Sequence, residues 1–225
     1  EFVKDTYRYP EHAIGCVGMA RFDYLYTPHS IEKTVLVMPT WRRWLDNMES
    51  RESFCNSDYF LQYKALLSDE ELIHNLRDNG YRLIFYPHYK MQPYIEIFRS
   101  LQNDVIIIAD KSHYDVQELL MSSALMITDY SSVAFDFAYM GKPLIYYQFD
   151  EQMFRQMHFQ EGYFSYKNDG FGPCFENADA LKSYVRFMIS MQCVQLDEYD
   201  QRVKDFFNLR DNNNSERIYQ AISAL

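Results

Sequence analysis

Short, almost wholly apolar runs recur along the chain, separated by segments whose apolar residues return at helical spacing. The runs lie at residues 34–38 (TVLVM), 82–86 (RLIFY), 104–109 (DVIIIA), 125–128 (LMIT) and 143–147 (PLIYY). Each has the length of a strand and is apolar at successive positions, which predicts strands buried on both faces. Between them, Ser68-Asp69-Glu70-Glu71 has the form of a capping box, opening a helix through Leu72, Ile73 and Leu76 to Gly80. A second helix is expected through Ile95, Ile97 and Leu101. A third runs over 116–122 with Asp115 as its cap, and a fourth over 132–140, closed by Gly141. After residue 150 the pattern turns mainly helical, at 177–191, 196–207 and 214–225. Strands alternating with helices of about ten to fifteen residues predict an α/β fold, a Rossmann-like parallel sheet of five or more strands covered on both faces. There is no internal repeat or low-complexity linker, so residues 1–225 are read as a single domain.

Composition sharpens this only at a few points. With 225 residues, 48% of them hydrophobic and 17% aromatic, the chain can build a large core, which excludes intrinsic disorder. A net charge of −10 argues against nucleic-acid binding, which needs clustered Lys and Arg, but leaves room for a nucleotide. The cysteines at 16, 55, 174 and 193 have no paired spacing, so neither a zinc site nor a disulfide framework is expected, and a reduced, cytoplasmic setting is. No apolar run approaches the roughly 20 residues of a membrane span. The sequence opens Glu1-Phe2-Val3 without Met or a signal-peptide layout and is read as a piece of a longer protein.

Candidate chemistry collects just after three of the strands. Pro39-Thr40-Trp41-Arg42-Arg43 follows the first, Pro87-His88-Tyr89-Lys90 the second, and Thr128-Asp129-Tyr130-Ser131-Ser132 closes the fourth. Ligands of parallel α/β sheets bind outside the carboxyl ends of the strands, where these clusters fall. In the third cluster two hydroxyls and unpaired N–H groups meet at a helix start, which suits a phosphate. Asp136 lies four positions after Ser132 on the same helical face and would repel a diphosphate, so hydroxyls such as a ribose offers are its expected partners. Singly, each piece has an ordinary reading: Ser131 or Ser132 as an N-cap, His88 in a loop, Trp41 in the core, Arg42 and Arg43 solvated. Gly162-Tyr163-Phe164 and Gly170-Phe171-Gly172-Pro173 read equally as structural turns or as ligand contacts, and the tyrosines and methionines mainly as core.

The run Thr128-Asp129-Tyr130-Ser131-Ser132-Val133-Ala134-Phe135-Asp136-Phe137, followed by Gly141-Lys142-Pro143, resembles the signature of the CDP-glycerol:poly(glycerophosphate) glycerophosphotransferase family of teichoic-acid primases and polymerases. Gly18-Met19-Ala20-Arg21-Phe22-Asp23 is similar to its Gly-x-Pro-Arg-x-Asp, departing at Ala20. Met38-Pro39-Thr40-Trp41-Arg42, Pro87-His88 and Asn214-Ser215-Glu216-Arg217-Ile218 fall in matching order. The resemblance implies the C-terminal half of a two-domain GT-B enzyme. It would transfer glycerol-phosphate or ribitol-phosphate from CDP-glycerol or CDP-ribitol to a hydroxyl of a lipid-linked envelope or capsular polymer. It implies that Arg21, Thr40, Trp41, Arg42, Thr128, Asp129, Ser131, Ser132 and Asp136 serve donor binding. His88 would stabilise the leaving CMP. No metal or other cofactor is expected, since the D-x-D motif is missing. The family's second histidine, in a His-Gly-Thr-Pro motif, matches none of His12, His29, His74, His88, His113 or His158. The general base and acceptor site are therefore expected in an N-terminal domain outside this sequence, and the fragment alone is expected to be inactive. The full-length protein would sit at the inner face of the cell membrane. The competing readings are a GT-B glycosyltransferase using a nucleotide sugar and a non-catalytic nucleotide-binding module.

Overall fold

The computed structural model describes residues 2–224 except Asn47, Glu49 and Glu161. Six strands, β1 (Glu32–Val37), β2 (Arg82–Phe85), β3 (Ile106–Ile108), β4 (Ser123–Thr128), β5 (Leu144–Tyr147) and β6 (Cys174–Phe175), form one sheet. Their order is β3-β2-β1-β4-β5-β6, and every pairing is parallel. The α/β fold class read from the sequence is the one observed.

Alternation along each strand feeds two cores. Val35, Val37, Leu83, Phe85, Leu125, Ile127, Ile145 and Tyr147 face a layer that includes the helices Asp58–Leu67, Glu70–Asp78 and Ala178–Ser190. Leu36, Met38, Ile84, Tyr86, Met126, Leu144 and Tyr146 face the opposite layer, with the helices Val116–Ser122 and Val133–Tyr139. Most of these side chains are completely buried, each contributing about 1.5–3 kcal/mol from apolar burial. A third, smaller cluster stacks Phe22 of the helix Arg21–Leu25 on Tyr139 at 4.2 Å and so carries Arg21 towards the sheet's carboxyl edge.

Several local expectations shift. The helix expected from a Ser68 capping box is capped by Asp69, whose carboxylate accepts the Leu72 N–H at 2.8 Å. Ser68 ends the preceding helix, Asp58–Leu67, by donating to the Lys64 carbonyl. The segment through Ile95 and Leu101 is one α-turn, Ile95–Phe98, between 3₁₀ turns, with Pro93 in the first. The third strand is shorter than 104–109 because the Asn103 side chain takes the Val105 and Ile106 N–H groups. Asp115 and Gly141 behave as expected, the first capping through the Glu118 N–H, the second at φ +73°. β6 and the helix Glu151–Met157 lie in a stretch that has no clear periodicity. Gly170 and Gly172 are set by packing: a Cβ would stand 2.0 Å from the Tyr166 carbonyl oxygen or 1.8 Å from that of Leu144.

Candidate functional site

The order of strands places the switch point between β1 and β4, where the connections leave in opposite directions and open a crevice. The segments that follow these two strands are sewn together. The Thr128 hydroxyl donates to the Met38 carbonyl at 2.8 Å. The Asp129 carboxylate accepts the Thr40 N–H at 2.9 and 3.1 Å and the Tyr130 N–H at 2.6 Å.

Beneath this seam lies a buried ion triad. Arg42, wholly enclosed, donates from Nη1 to Asp129 at 2.8 Å and to the Thr40 carbonyl at 2.8 Å. Its Nε and Nη2 reach Asp150 at 2.6 and 3.1 Å. The rings of Tyr59, Tyr130, Phe149 and Phe154 surround the guanidinium at 5.2–5.6 Å. Burial pulls the Arg42 pKa down, but Asp129 and Asp150 together drive it above its ordinary value, so the cation is fixed. Arg42, Thr128 and Asp129 were expected to touch a ligand. Their side chains are instead enclosed, and the Thr128 hydroxyl and the Asp129 carboxylate are engaged within the protein. Their role is to hold the crevice's walls in register, and the expectation that Arg42 is solvated is corrected in the same way.

The surface of the crevice carries the rest. Half-buried His88 follows β2, its N–H donating to the Pro39 carbonyl at 3.3 Å. Its Nδ1 accepts the Lys90 N–H at 3.3 Å, which leaves Nε2 with the proton in the neutral ring. Burial, then the Lys90 charge, lowers its pKa, so at neutral pH His88 is a neutral N–H donor. Trp41 lies roughly parallel to the His88 ring at 6.3 Å, and the Lys90 ammonium sits over the indole at 3.7 Å while pairing with Asp46. Thr40 is half-buried, and its Oγ1 is buried with no hydrogen-bond partner among the described residues.

On the β4 side, Ser131 is half-buried and Ser132 exposed. Among the described residues, Ser132 makes no side-chain cap bond, and Ser131 Oγ accepts only a long 3.4 Å bond from the Val133 N–H. Both hydroxyls therefore remain open to the crevice. Asp136 is buried and bound by Arg21 through Nε at 2.5 Å and Nη2 at 3.5 Å. The structure thus joins two of the expected residues, and Arg21 stands between the Asp136 carboxylate and solvent, where a cation beside a phosphate is useful.

His158 was not foreseen. It ends the helix Glu151–Met157, stacks on Phe154 at 4.6 Å and meets Trp41 edge-on at 4.7 Å. Its Nδ1 accepts the Arg43 N–H at 3.2 Å, and its buried Nε2 has no partner among the described residues. Burial, followed by Arg43, Arg42, His88 and Lys90, pushes its pKa down to about 4. Nothing local marks it, because Trp41 and Arg43, which tie it to the crevice, are distant in sequence. Among the described residues, no group of three or more His, Cys, Asp or Glu could hold a metal, and no helix is long and apolar enough to cross a membrane.

A parallel sheet of this order with polar clusters at its switch point places the chain among Rossmann-like α/β proteins of the GT-B kind. The chain belongs to the CDP-Glycerol:Poly(glycerophosphate) glycerophosphotransferase family, whose model matches residues 3–224. It is 40% identical over 232 residues to the minor teichoic acid biosynthesis protein GgaB of Bacillus subtilis strain 168, covering 99% of this chain and 25% of that protein. It is 33% identical over 126 residues to the teichoic acid glycerol-phosphate primase of the same organism, covering 56% of this chain and 28% of the primase. The chain thus spans about a quarter of the length of these curated relatives. The fold is similar to that of the wall teichoic acid polymerase TagF, with a TM-score of 0.63 at 20% identity over 98% of this chain and 54% of that one. TagF has also been solved after a soak with CDPG.

Proposed function

We propose that this chain supplies the donor half of an enzyme that transfers glycerol-phosphate or ribitol-phosphate from a CDP-linked donor to a hydroxyl of an envelope polymer. The observation that carries this is the convergence of open polar groups at the β1/β4 switch point of a glycerophosphotransferase-family chain. Ser131, Ser132 and Arg21 take the donor's phosphates and ribose, with Asp136 holding Arg21. Trp41 and Thr40 form the wall opposite.

In the reaction, an acceptor oxygen attacks the phosphorus that bears the polyol, the bridging P–O bond breaks, and CMP leaves. The neutral His88 ring, oriented by the Lys90 N–H, donates Nε2–H to the phosphate oxygen on which charge grows. The acceptor's proton goes to a base outside this chain, contributed by an N-terminal domain of the same protein. Arg21, His88 and backbone dipoles meet the diphosphate charge without a metal. The acceptor is lipid-linked, which places the full-length enzyme at the inner face of the cell membrane.

Calorimetric titration of the full-length protein with CDP-glycerol, CDP-ribitol, CMP and UDP-N-acetylglucosamine tests the reading. A CDP-polyol should bind and CMP should bind more weakly. Binding of the UDP-sugar with no response to either CDP-polyol would overturn it.

A further inference from the structure

Beside Tyr130 lies a second cavity, of about 300 Å³. Tyr130, Phe135, Phe154, Phe164 and Tyr166 line it, with Arg155 of the helix Glu151–Met157. Tyr130 and Phe135 also flank Ser131 and Ser132 in sequence, so the cavity adjoins the turn that carries these hydroxyls.

Arg155 is out of keeping with its surroundings. It is the one charged residue among the described residues lining the cavity, in a chain that carries a net −10. Its guanidinium carbon lies 5.7 Å from the Tyr130 ring centre and 5.6 Å from that of Tyr166, and the side chain is 20% exposed. Its Nε and Nη2 are buried and have no hydrogen-bond partner among the described residues. Glu151 Oε1 is 4.0 Å from Nε, beyond hydrogen-bond distance, while the other oxygen of that carboxylate pairs with Lys167 at 3.4 Å. Arg42, which lies against the same Tyr130 ring, shows the contrast: there four N–H bonds are made to carboxylates and a carbonyl.

A buried guanidinium with unmade N–H bonds is destabilising unless a ligand completes it, and a planar fork is best completed by two oxygens of one anion. The aromatic lining suits the C–H faces of a small polyol, and the volume lies at the small end of ligand sites, enough for one phosphate with a polyol unit. We propose that this cavity is a subsite for a phosphodiester of the acceptor polymer, with Arg155 gripping the phosphate and the rings of Tyr130 and Tyr166 packing on the adjoining polyol. The identity of the polymer rests on the function proposed above. The anion site rests on Arg155 alone.

The test uses the full-length protein and bis(glycero)phosphate, a phosphodiester of two glycerols, with glycerol and CDP-glycerol titrated separately. The wild-type protein should bind the phosphodiester but not glycerol, and saturating CDP-glycerol should leave that binding in place. Arg155→Gln and Arg155→Lys should weaken phosphodiester binding by about tenfold to a hundredfold, since both lose the fork. CDP-glycerol affinity should stay unchanged and the thermal midpoint should not fall. Phosphodiester binding that is untouched in both variants, or abolished by CDP-glycerol, would overturn the subsite. So would a lowered midpoint with both ligands weakened together, since Arg155 would then be structural. Arg155-dependent phosphodiester binding without any CDP-polyol binding would uphold the subsite and overturn the donor reading instead.

Discussion

The carboxylate of Asp129 holds the backbone N–H of Thr40 with both oxygens, at 2.9 and 3.1 Å, and through it the ends of β4 and β1 become one structure. Arg42 then locks that carboxylate to Asp150, so three segments are fixed around one buried cation. The open side chains of the crevice stand on this seam.

Changes to its members should therefore be coupled. Asp129→Asn leaves Arg42 undercompensated and should lower unfolding free energy by about 3–5 kcal/mol, measured by urea denaturation. Adding Arg42→Met to it should cost less than the sum of the two single changes, because Asp129→Asn has already removed one of the two carboxylates that Arg42→Met alone would strand. Strict additivity would show that the contact carries no coupling.

His88→Ala in the full-length enzyme should reduce kcat by about a hundredfold to a thousandfold, as for loss of one preorganised donor to a developing oxyanion. Its circular dichroism and urea midpoint should match the wild type, because His88 is half-buried and, among the described residues, its ring makes only one long hydrogen bond. Wild-type turnover would remove His88 from the mechanism.

His158 gives a signature in pH. Its folded pKa of about 4 lies below the ordinary 6.5, so between those values the unfolded chain binds more protons than the native one. Stability should fall as pH drops from about 6.5 towards 4 and gain no further slope from this group below that. The urea midpoint of His158→Phe should fall less steeply over the same window than that of the wild type. Parallel curves would assign the slope to other groups.

Asp23 ties the two ends of the described chain together. Its carboxylate accepts the N–H groups of Asn214 and Ser215 at 2.7 and 2.8 Å, capping the helix Asn214–Ser223 from the far end of the sequence. Burial alone would raise its pKa, but the bonds from Ser215 and Asn214 prevail and hold it at about 2. Its stabilisation is complete above the ordinary 3.8 and is lost as pH falls through about 2. Asp23→Ala should destabilise the protein by about 0.5–2 kcal/mol near neutral pH, the range for a lost cap, and the difference should vanish in acid. Gly18→Ala should damage the same junction, since Gly18 has φ +80° and a Cβ would meet Asn214 Oδ1 at 1.7 Å.

The strands were legible because a sheet covered on both faces demands apolar side chains at every position, and 34–38, 125–128 and 143–147 supply them. The location of the crevice was legible too, since polar clusters after parallel strands have only the carboxyl edge to occupy. Cap choice at Asp69 over Ser68 was not, because two neighbouring cap residues are equivalent until the preceding helix claims one. Which polar groups face the crevice was also beyond local reading. Arg42 is drawn inward by carboxylates 87 and 108 positions away, and His158 is brought to Arg43 from 115 positions away. Sequence alone thus determined most of the sheet and the edge where its polar clusters gather. The tertiary structure decided that Thr128, Asp129 and Arg42 brace that edge while Ser131, Ser132, Arg21 and His88 face it, because a charge's orientation is set by the partners that desolvate and neutralise it.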